Sequence, residues 1–555
     1  MFDSVHDEFK LPIAYQPHHA VSASIRSDLE LVHTVDSSGT SVYSNVFRPS
    51  SLCATNMIKA WASHFTDHVP FLTQSQVFFK KLKTVEFPSD FVDIILDIKS
   101  DNNFNMKYHY IDSKQIEFAN TIPIVLILMT IYSMTSPLLF FLSPILMFLV
   151  PFVIIKMQQK DISWVEYTAV LVQVMKSHAL VGLFTGFKTS TIKEQLYLIM
   201  SALFYIFQLY SNGLSCYSFY QIIKSIHRNL STASTYMHSV ITSMNNTIDA
   251  CSGLSTYTPF LDHLNKHKER IELFYSKLLQ IKTLSWSDIH QIGYLRTLYY
   301  ELKHEPSLHQ SLLYSLGLQG FVENIYGLQQ HLNKTIHFAT FGEVTKFKKA
   351  YYPLIATPVK NSYSLSKNYI ITGPNASGKT TFVKTTLINV LLSQQIGCGY
   401  YKHATINPYQ ELCSYINIPD TSGRDSLFQA EARRCKEILD LVQHKRVFCI
   451  FDELFSGTNP SEASASAYAF LRYLSPRSTF MLTTHFIDIC VPLQSKNIQN
   501  IHMKTTPPLI YSYKIKKGVS SIKGGVEVLK QLQYPTDIIQ CAQEYLTTKV
   551  TPIPF

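Results

Sequence analysis

Hydrophobic and polar positions follow four different patterns along this chain. From residue 1 to about 118, short apolar patches alternate with Ser, Asp, Asn and Lys, as in a mixed or helical region, and no chemistry can be named in it. Thr121 to Ile155 then runs for 35 residues without a charge, TIPIVLILMTIYSMTSPLLFFLSPILMFLVPFVII. One straight helix of that length would measure ~52 Å at ~1.5 Å per residue, against a hydrocarbon core of ~30 Å. A break near Ser133–Pro137 predicts instead a hairpin of two crossings of about 15 to 18 residues each. Pro123, Pro137, Pro144 and Pro151 are tolerable in membrane helices and out of place in a soluble core helix. A second charge-poor stretch, Gln195 to Ile223, includes Gln208, Ser211 and Asn212 and is a more polar candidate for a third element.

Two readings of residues 121–155 stand side by side. One is a membrane hairpin with Lys114 before it and Lys156 and Lys160 after it, so that both ends lie on the cytoplasmic side. The other is a pair of helices buried in a large core or a dimer interface. From about Ser218 to Asn333 the chain turns polar with helical periodicity. In LDHLNKHKERIELFYSKLLQIKTL, Leu261, Leu264, Ile271, Phe274, Leu278 and Ile281 recur mostly at three- and four-residue steps, with charges in the gaps. From Phe338 onward, strand-like and helix-like segments alternate with Gly punctuation, which predicts an α/β domain with a largely parallel sheet. The expected organisation is an N-terminal region (1–118), a hydrophobic segment (119–217), an all-α core or lever region (218–336) and an α/β domain (337–555).

Composition narrows this picture. At ~150 residues per domain, 555 residues suggest three or four units. Charged residues make up 16%, below the ~25% usual for soluble domains, and 35 Phe and 33 Tyr argue against disorder. The formal net charge of +10 favours anionic partners such as nucleic acid, nucleotides or lipid; with no Lys/Arg run, a mildly basic solvated surface explains it equally well. The nine cysteines contain no C-x-x-C pair, which excludes a zinc knuckle or a disulfide framework and suits a reducing compartment. Cys449, inside Val447–Phe451, reads as a buried apolar residue. The start, MFDSVHDEFK, is acidic and without an apolar stretch, so no signal peptide is expected and an intracellular location is.

The chemistry lies in the last third. Tyr369–Thr372 is a short strand-like run leading into Gly373-Pro374-Asn375-Ala376-Ser377-Gly378-Lys379-Thr380, then Thr381 and an apolar helix, Phe382–Ser393. That is G-x-x-x-x-G-K-[ST] between a strand and a helix, a P-loop for ATP. Its glycines let the backbone N–H groups face phosphates, and the helix N-terminus adds a favourable dipole. Lys379 should reach the β- and γ-phosphates and the Thr380 hydroxyl should ligate Mg²⁺. Val447–Phe451 is a fully apolar strand, buried on both faces, that ends in Asp452-Glu453. Asp452 would hold Mg²⁺, and Glu453 would orient and polarise the attacking water. Phe480–Thr484 is another apolar strand, ending in His485, a candidate γ-phosphate sensor.

GPNASGKTT, DELFSGTN and TTH together resemble the ATPase domain of the MutS family of DNA mismatch-repair proteins. Ser426, Phe428 and Glu431 in PDTSGRDSLFQAEARRCKEIL are similar to that family's signature loop, G-x-S-x-F-x-x-E, although Gly423 sits one residue further from Ser426 than the pattern has it. Gln394-Gln-Ile-Gly397 and the tail GGVEVLKQLQYPTDIIQCAQEYL fit as well. The resemblance implies two ATPase domains paired head to tail, as a homodimer or a MutS-like heterodimer. Ser426 would then act in trans on the partner's nucleotide, and Gly524 to Leu546 would help the domains pair. It implies ATP and Mg²⁺ as cofactors, DNA as partner, and helical levers moved on DNA by ATP-driven dimerisation. The family's mismatch-reading G-x-F-[FY]-E is absent from residues 1–120, and the hydrophobic hairpin is foreign to the soluble repair proteins. A membrane-tethered MutS-like ATPase without direct mismatch recognition is therefore the alternative. An ABC-class transporter is disfavoured, because no LSGGQ-like signature is present.

Overall fold

A run of apolar residues with no charge has no reason to stop forming helix except at its prolines, and here the prolines do not stop it. In the computed structural model, which describes residues 2–36, 38–157, 163–176, 191–281, 289–416, 426–506, 509–522 and 524–548, helix α1 runs unbroken over Pro123–Met157. The predicted break near Ser133–Pro137 is thus corrected: residues 121–155 do not fold back on themselves. The physical reason lies in the carbonyls that the prolines leave without an amide. Pro137 cannot donate to Ser133 O, which instead accepts the Ser136 hydroxyl at 3.2 Å. Residue 144, also proline, cannot donate to Phe140 O, and that oxygen accepts the Tyr205 hydroxyl at 3.3 Å.

Tyr205 belongs to α2, Ile192–Ala250, a 59-residue helix that absorbs the second charge-poor stretch whole. The Phe140 and Tyr205 rings stack at 5.0 Å, and Cys216 Sγ reaches Met134 O at 3.5 Å. Position numbers fall along α1 as they rise along α2, so the two helices run antiparallel. A hairpin exists, but its second arm is α2 rather than the end of α1. At its base stands Arg296 on α3, Ile289–His304. Its side chain is fully buried and donates to Leu126 O, Thr130 Oγ1, Tyr108 O and His109 O, with the rings of Tyr110 and Phe219 beside its guanidinium. Carbonyl dipoles and aromatic faces offset the desolvation of that charge. These elements lie in one compact unit, residues 87–241 and 269–312.

The second compact unit joins residues 1–86, 242–268 and 313–555, so the first 86 residues, read above as part of a separate region, group with the α/β segment. Helix α4, Pro306–Gln329, supplies a core column of Leu316, Phe321, Val322, Ile325 and Leu328 to it. A Cβ at Gly327 would sit 1.7 Å from Phe47 O, so only glycine lets the N-terminal segment cross there. Glutamine amides complete the join: Gln395 donates to Trp61 O and His64 O, and Gln394 to Thr66 O and Tyr409 O.

The central sheet has six strands: β1 (Asn368–Thr372), β2 (Glu411–Tyr415), β3 (Val447–Asp452), β4 (Thr479–Thr483), β5 (Ile498–Thr506) and β6 (Ile510–Lys517). Their order is β2-β3-β4-β1-β5-β6, parallel except for β6, as the fully buried, β-branched and aromatic runs of β1, β3 and β4 require. Asp452 pairs with Thr483 and Thr483 with Ile371, so the carboxyl ends of β3, β4 and β1 finish level along one edge. Helices α5 (Lys379–Ile396), α6 (Leu427–Leu441) and α7 (Pro460–Leu474) connect these strands. Each has a local cause: α5 ends on left-handed Gly397, α6 begins on a Ser426–Gln429 capping box, and α7 begins on Asn459 followed by Pro460.

Gly327→Ala should destabilise the fold by about 1–3 kcal/mol, because the overpacked methyl meets backbone rather than a movable side chain. Gly213→Ala, at a helical position with nothing within 4 Å, should be neutral or stabilising by up to about 1 kcal/mol. Thermal unfolding of the two variants checks the contrast; equal midpoints would contradict the crossing at Gly327.

Candidate functional site

The level strand ends bring three loops together. After β1 the chain turns through Gly373 and Gly378, with φ of +153° and +89°, before α5 begins at Lys379. A Cβ at Gly378 would stand 3.0 Å from Tyr513 Cδ1, and one at Gly373 would stand 2.9 Å from Ser377 Oγ. The loop is therefore both left-handed and closely packed, which together require glycine. Ala376 is left-handed too, at φ +61°. Pro374 and Asn375 form the outer turn, closed by Ser377 N donating to Pro374 O at 3.3 Å.

Lys379 is 6% exposed, and its ammonium donates to Gly373 O at 3.0 Å and Pro374 O at 3.3 Å. Burial depresses its pKa, and the carboxylates of Glu453 and Asp452 oppose that shift. The Thr380 hydroxyl donates to Asp452 Oδ2 at 2.8 Å, and Thr483 Oγ1 donates to the other Asp452 oxygen. The hydroxyl and carboxylate expected to share a cation are thus already neighbours. Thr381, the third residue of α5, lines the cavity beside them.

Glu453 follows Asp452 in a left-handed conformation, φ +56°, pinned by its N–H on Thr483 O at 3.1 Å. Its Oε1 lies 3.2 Å from His485 Nε2, and Lys379 Nζ lies 3.2 Å from that same nitrogen. One ring nitrogen cannot both accept from Lys379 and donate to Glu453, so the tautomer of His485 decides which contact forms. The hydrogen bond to His485 holds the Glu453 carboxyl below its ordinary range, with the Lys379 charge acting the same way. Lys379 and Glu453 therefore face one space rather than opposite sides of the domain.

That space is a cavity of about 570 Å³. Residues 375–382 and Glu453 form one wall; Tyr352, Ile355, Pro358, Val359 and Tyr513 form an apolar and aromatic wall. Those last residues were missed in the sequence. The only local signal is the aromatic-proline cluster Tyr351-Tyr352-Pro353 to Pro358 just ahead of β1, and Tyr513 arrives from β6, far along the chain. A second cavity of about 370 Å³ lies behind the loop, between Gly373–Asn375, His485 and the tail residues Ser520, Gly524 and Val528.

The residues suit a magnesium–nucleotide complex. Ser377 Oγ is buried and without a hydrogen-bond partner among the described residues. The Lys379 ammonium is spent on two loop carbonyls. A polyphosphate would give both groups partners. Magnesium, held by Thr380 and Asp452, would neutralise phosphate charge.

Ser426 is brought to the N-terminus of α6 but not into this cavity: its hydroxyl accepts from Gln429 N at 3.3 Å. Gly423 lies outside the described residues. Phe428 packs on Phe455 at 5.7 Å, and buried Glu431 accepts from Ser456 N, Ser456 Oγ and Gly457 N at 2.9–3.2 Å. The helix that Ser426 caps is thereby fastened to the loop that follows Asp452-Glu453.

Residues 369–549 match the family model of MutS domain V. The chain is 31% identical over 244 residues to Endonuclease MutS2 of Thermus thermophilus, covering 42% of this chain and 32% of that protein. It is 27% identical over 235 residues to the human MutS protein homolog 4, covering 38% and 25%. Over 201 residues it is 28% identical to DNA mismatch repair protein MSH3 of Meyerozyma guilliermondii, covering 33% and 21%. The chain thus matches a third or less of the length of these relatives. With its P-loop, strand-end carboxylates and capped helix in place, the segment 369–549 is what matches MutS domain V, and the likeness to these relatives extends over less than half of the chain.

Proposed function

We propose that this chain is a magnesium-dependent ATPase of the MutS type that works as a dimer and binds DNA. The observation that carries the first part is the meeting of Thr380 with Asp452 at 2.8 Å, beside Lys379 and Glu453, which line one cavity, with His485 between them bordering the second. Members of the family are ATPases, and the residues around this cavity support phosphoryl transfer to water with the following roles. The loop amides and Lys379 bind and orient the phosphates. Asp452 and Thr380 hold the metal. Glu453, kept ionised by His485, accepts hydrogen bonds from water and can take its proton.

Dimerisation is supported by two surfaces. Ser426 caps α6 at an exposed helix N-terminus, suited to an anion delivered by another subunit. The tail helices Gly525–Gln531 and Thr536–Thr548 leave Leu532, Tyr534, Ile538 and Tyr545 exposed. Glu431 would connect partner binding at Ser426 to the placement of Glu453. DNA is supported by the +10 net charge and by the exposed Lys346, Lys348 and Lys349 on the strand Lys346–Ala350. The alternative of a membrane-tethered ATPase is favoured by the uncharged run of residues 121–155.

Glu453→Gln should keep ATP binding and lower turnover about 10²-fold or more, the scale of a positioned general base; unchanged turnover removes Glu453 from that role. In the same assay His485→Ala should move the acid limb of turnover to higher pH. The hydrogen bond that lowers the Glu453 pKa is then gone, so the carboxylate is lost earlier as pH falls. An acid limb that stays in place or moves down contradicts the pairing.

Duplex DNA should bind with an affinity that falls steeply with salt, and neutralising Lys348 should flatten the slope by about one phosphate contact. Binding that is flat in salt, or absent, rejects the DNA reading while leaving the ATPase intact.

A further inference from the structure

We infer that α1 and the first half of α2 form an antiparallel two-helix hairpin that spans a lipid bilayer. The register set by Phe140 against Tyr205 and Met134 against Cys216 brings two uncharged windows side by side. Residues 121–155 of α1 lie along residues 195–223 of α2, with no Asp, Glu, Lys or Arg in either. Charges return together at the far end, at Lys193 and Glu194 on one helix and Lys156 in the sequence of the other. At the near end, α1 is anchored as far as Thr130 by Arg296. From residue 131 to 155 the hairpin extends ~37 Å at ~1.5 Å per residue, enough for a ~30 Å hydrocarbon core with its edges.

The exposed side chains decide what surrounds it. Pro123–Leu142 is the one span among the described residues long and apolar enough to cross a membrane, and 11% of its most apolar window is buried. At ~100° per residue, the exposed Phe141, Leu138, Val153, Leu139 and Ile154 fan across roughly 220° of α1. Ile206, Leu203, Phe207, Phe204 and Tyr197 fan across roughly 180° of α2. A second protein copy would cover one face of each helix, and the uncovered face would then be polar. Apolar side chains over half or more of the circumference of each helix, outside a protein core, suit lipid.

The polar groups inside the slab point the same way. Thr135 Oγ1 donates to Ile131 O at 2.7 Å, and the two carbonyls freed by Pro137 and residue 144 take the hydroxyls of Ser136 and Tyr205. Hydrocarbon requires that such groups be satisfied within the protein, and here they are. Exposed Tyr132, Tyr217 and Tyr220 cluster at the anchored end, and Tyr197 stands near the other, where amphipathic rings meet headgroups.

The test fractionates the full chain expressed in cells. It should sediment with membranes, resist high-salt and alkaline-carbonate washes, and be released by detergent. After purification in detergent it should reconstitute into phosphatidylcholine–phosphatidylglycerol vesicles and float with them. Recovery in the detergent-free soluble fraction, as a monomer or as a dimer closed over this hairpin, overturns the inference, as does extraction by carbonate. The double variant Leu203→Arg/Phe207→Arg should lose carbonate resistance while retaining ATP turnover, and full resistance in that variant also overturns it. These wild-type readouts need no nucleotide, so their failure is separable from failure of the ATPase reading.

Discussion

The hydrogen bond from Thr380 to Asp452 joins two residues 72 positions apart, and the parallel register of the sheet is what makes it possible. Each strand of a parallel sheet delivers its carboxyl end to the same edge, so a loop after β1 and a carboxylate at the tip of β3 become neighbours across β4. Strand β4 contributes Thr483 to hold Asp452 and then turns to present His485. A one-residue slip between β3 and β4 would turn Asp452 to the other face and separate it from both threonines. The runs Val447–Phe451 and Phe480–Thr483 are buried throughout, and Val447, Cys449, Phe451, Phe480 and Leu482 share one core cluster that such a slip would break up.

Around this edge, strain and desolvation are concentrated where chemistry needs them. Glu453 and Phe455 adopt left-handed conformations, and Lys379 is buried against loop carbonyls. Non-glycine residues persist in such conformations only when their surroundings over-determine them. Here the surroundings include Glu431, whose buried carboxylate gathers donors from Ser456 and Gly457. A change at the start of α6 is therefore felt at the loop carrying Glu453, which in the dimer proposed above would give two nucleotide sites a physical means to inform each other.

Much of the α/β half could be read from the chain because its signals are local. A glycine-bounded loop between an apolar strand and an apolar helix, and two carboxylates after five apolar residues, need no distant partner to be recognised. The parts that were not legible depend on remote residues. The wall made by Tyr352 and Tyr513 draws on segments some 160 residues apart, and Gln395 reaches back to Trp61. The long α1 shows the same limit from the other side. Proline rules predicted a break near Ser133–Pro137, and they were overridden by a hydroxyl from Tyr205 and a serine one residue before Pro137. No periodicity within residues 121–155 announces that Tyr205 will be there.

The central claim is that one nucleotide site is shared by the P-loop and the strand-tip carboxylates through a metal ion. Calorimetric titration of ATP into the full chain, with and without Mg²⁺, tests it on the wild type, Thr380→Ala and Asp452→Asn. The account predicts that Mg²⁺ tightens ATP binding to the wild type and that this enhancement is lost in both variants, while metal-free binding persists. A Mg²⁺ enhancement that survives in both would contradict it, because the metal would then be held somewhere other than between Thr380 and Asp452.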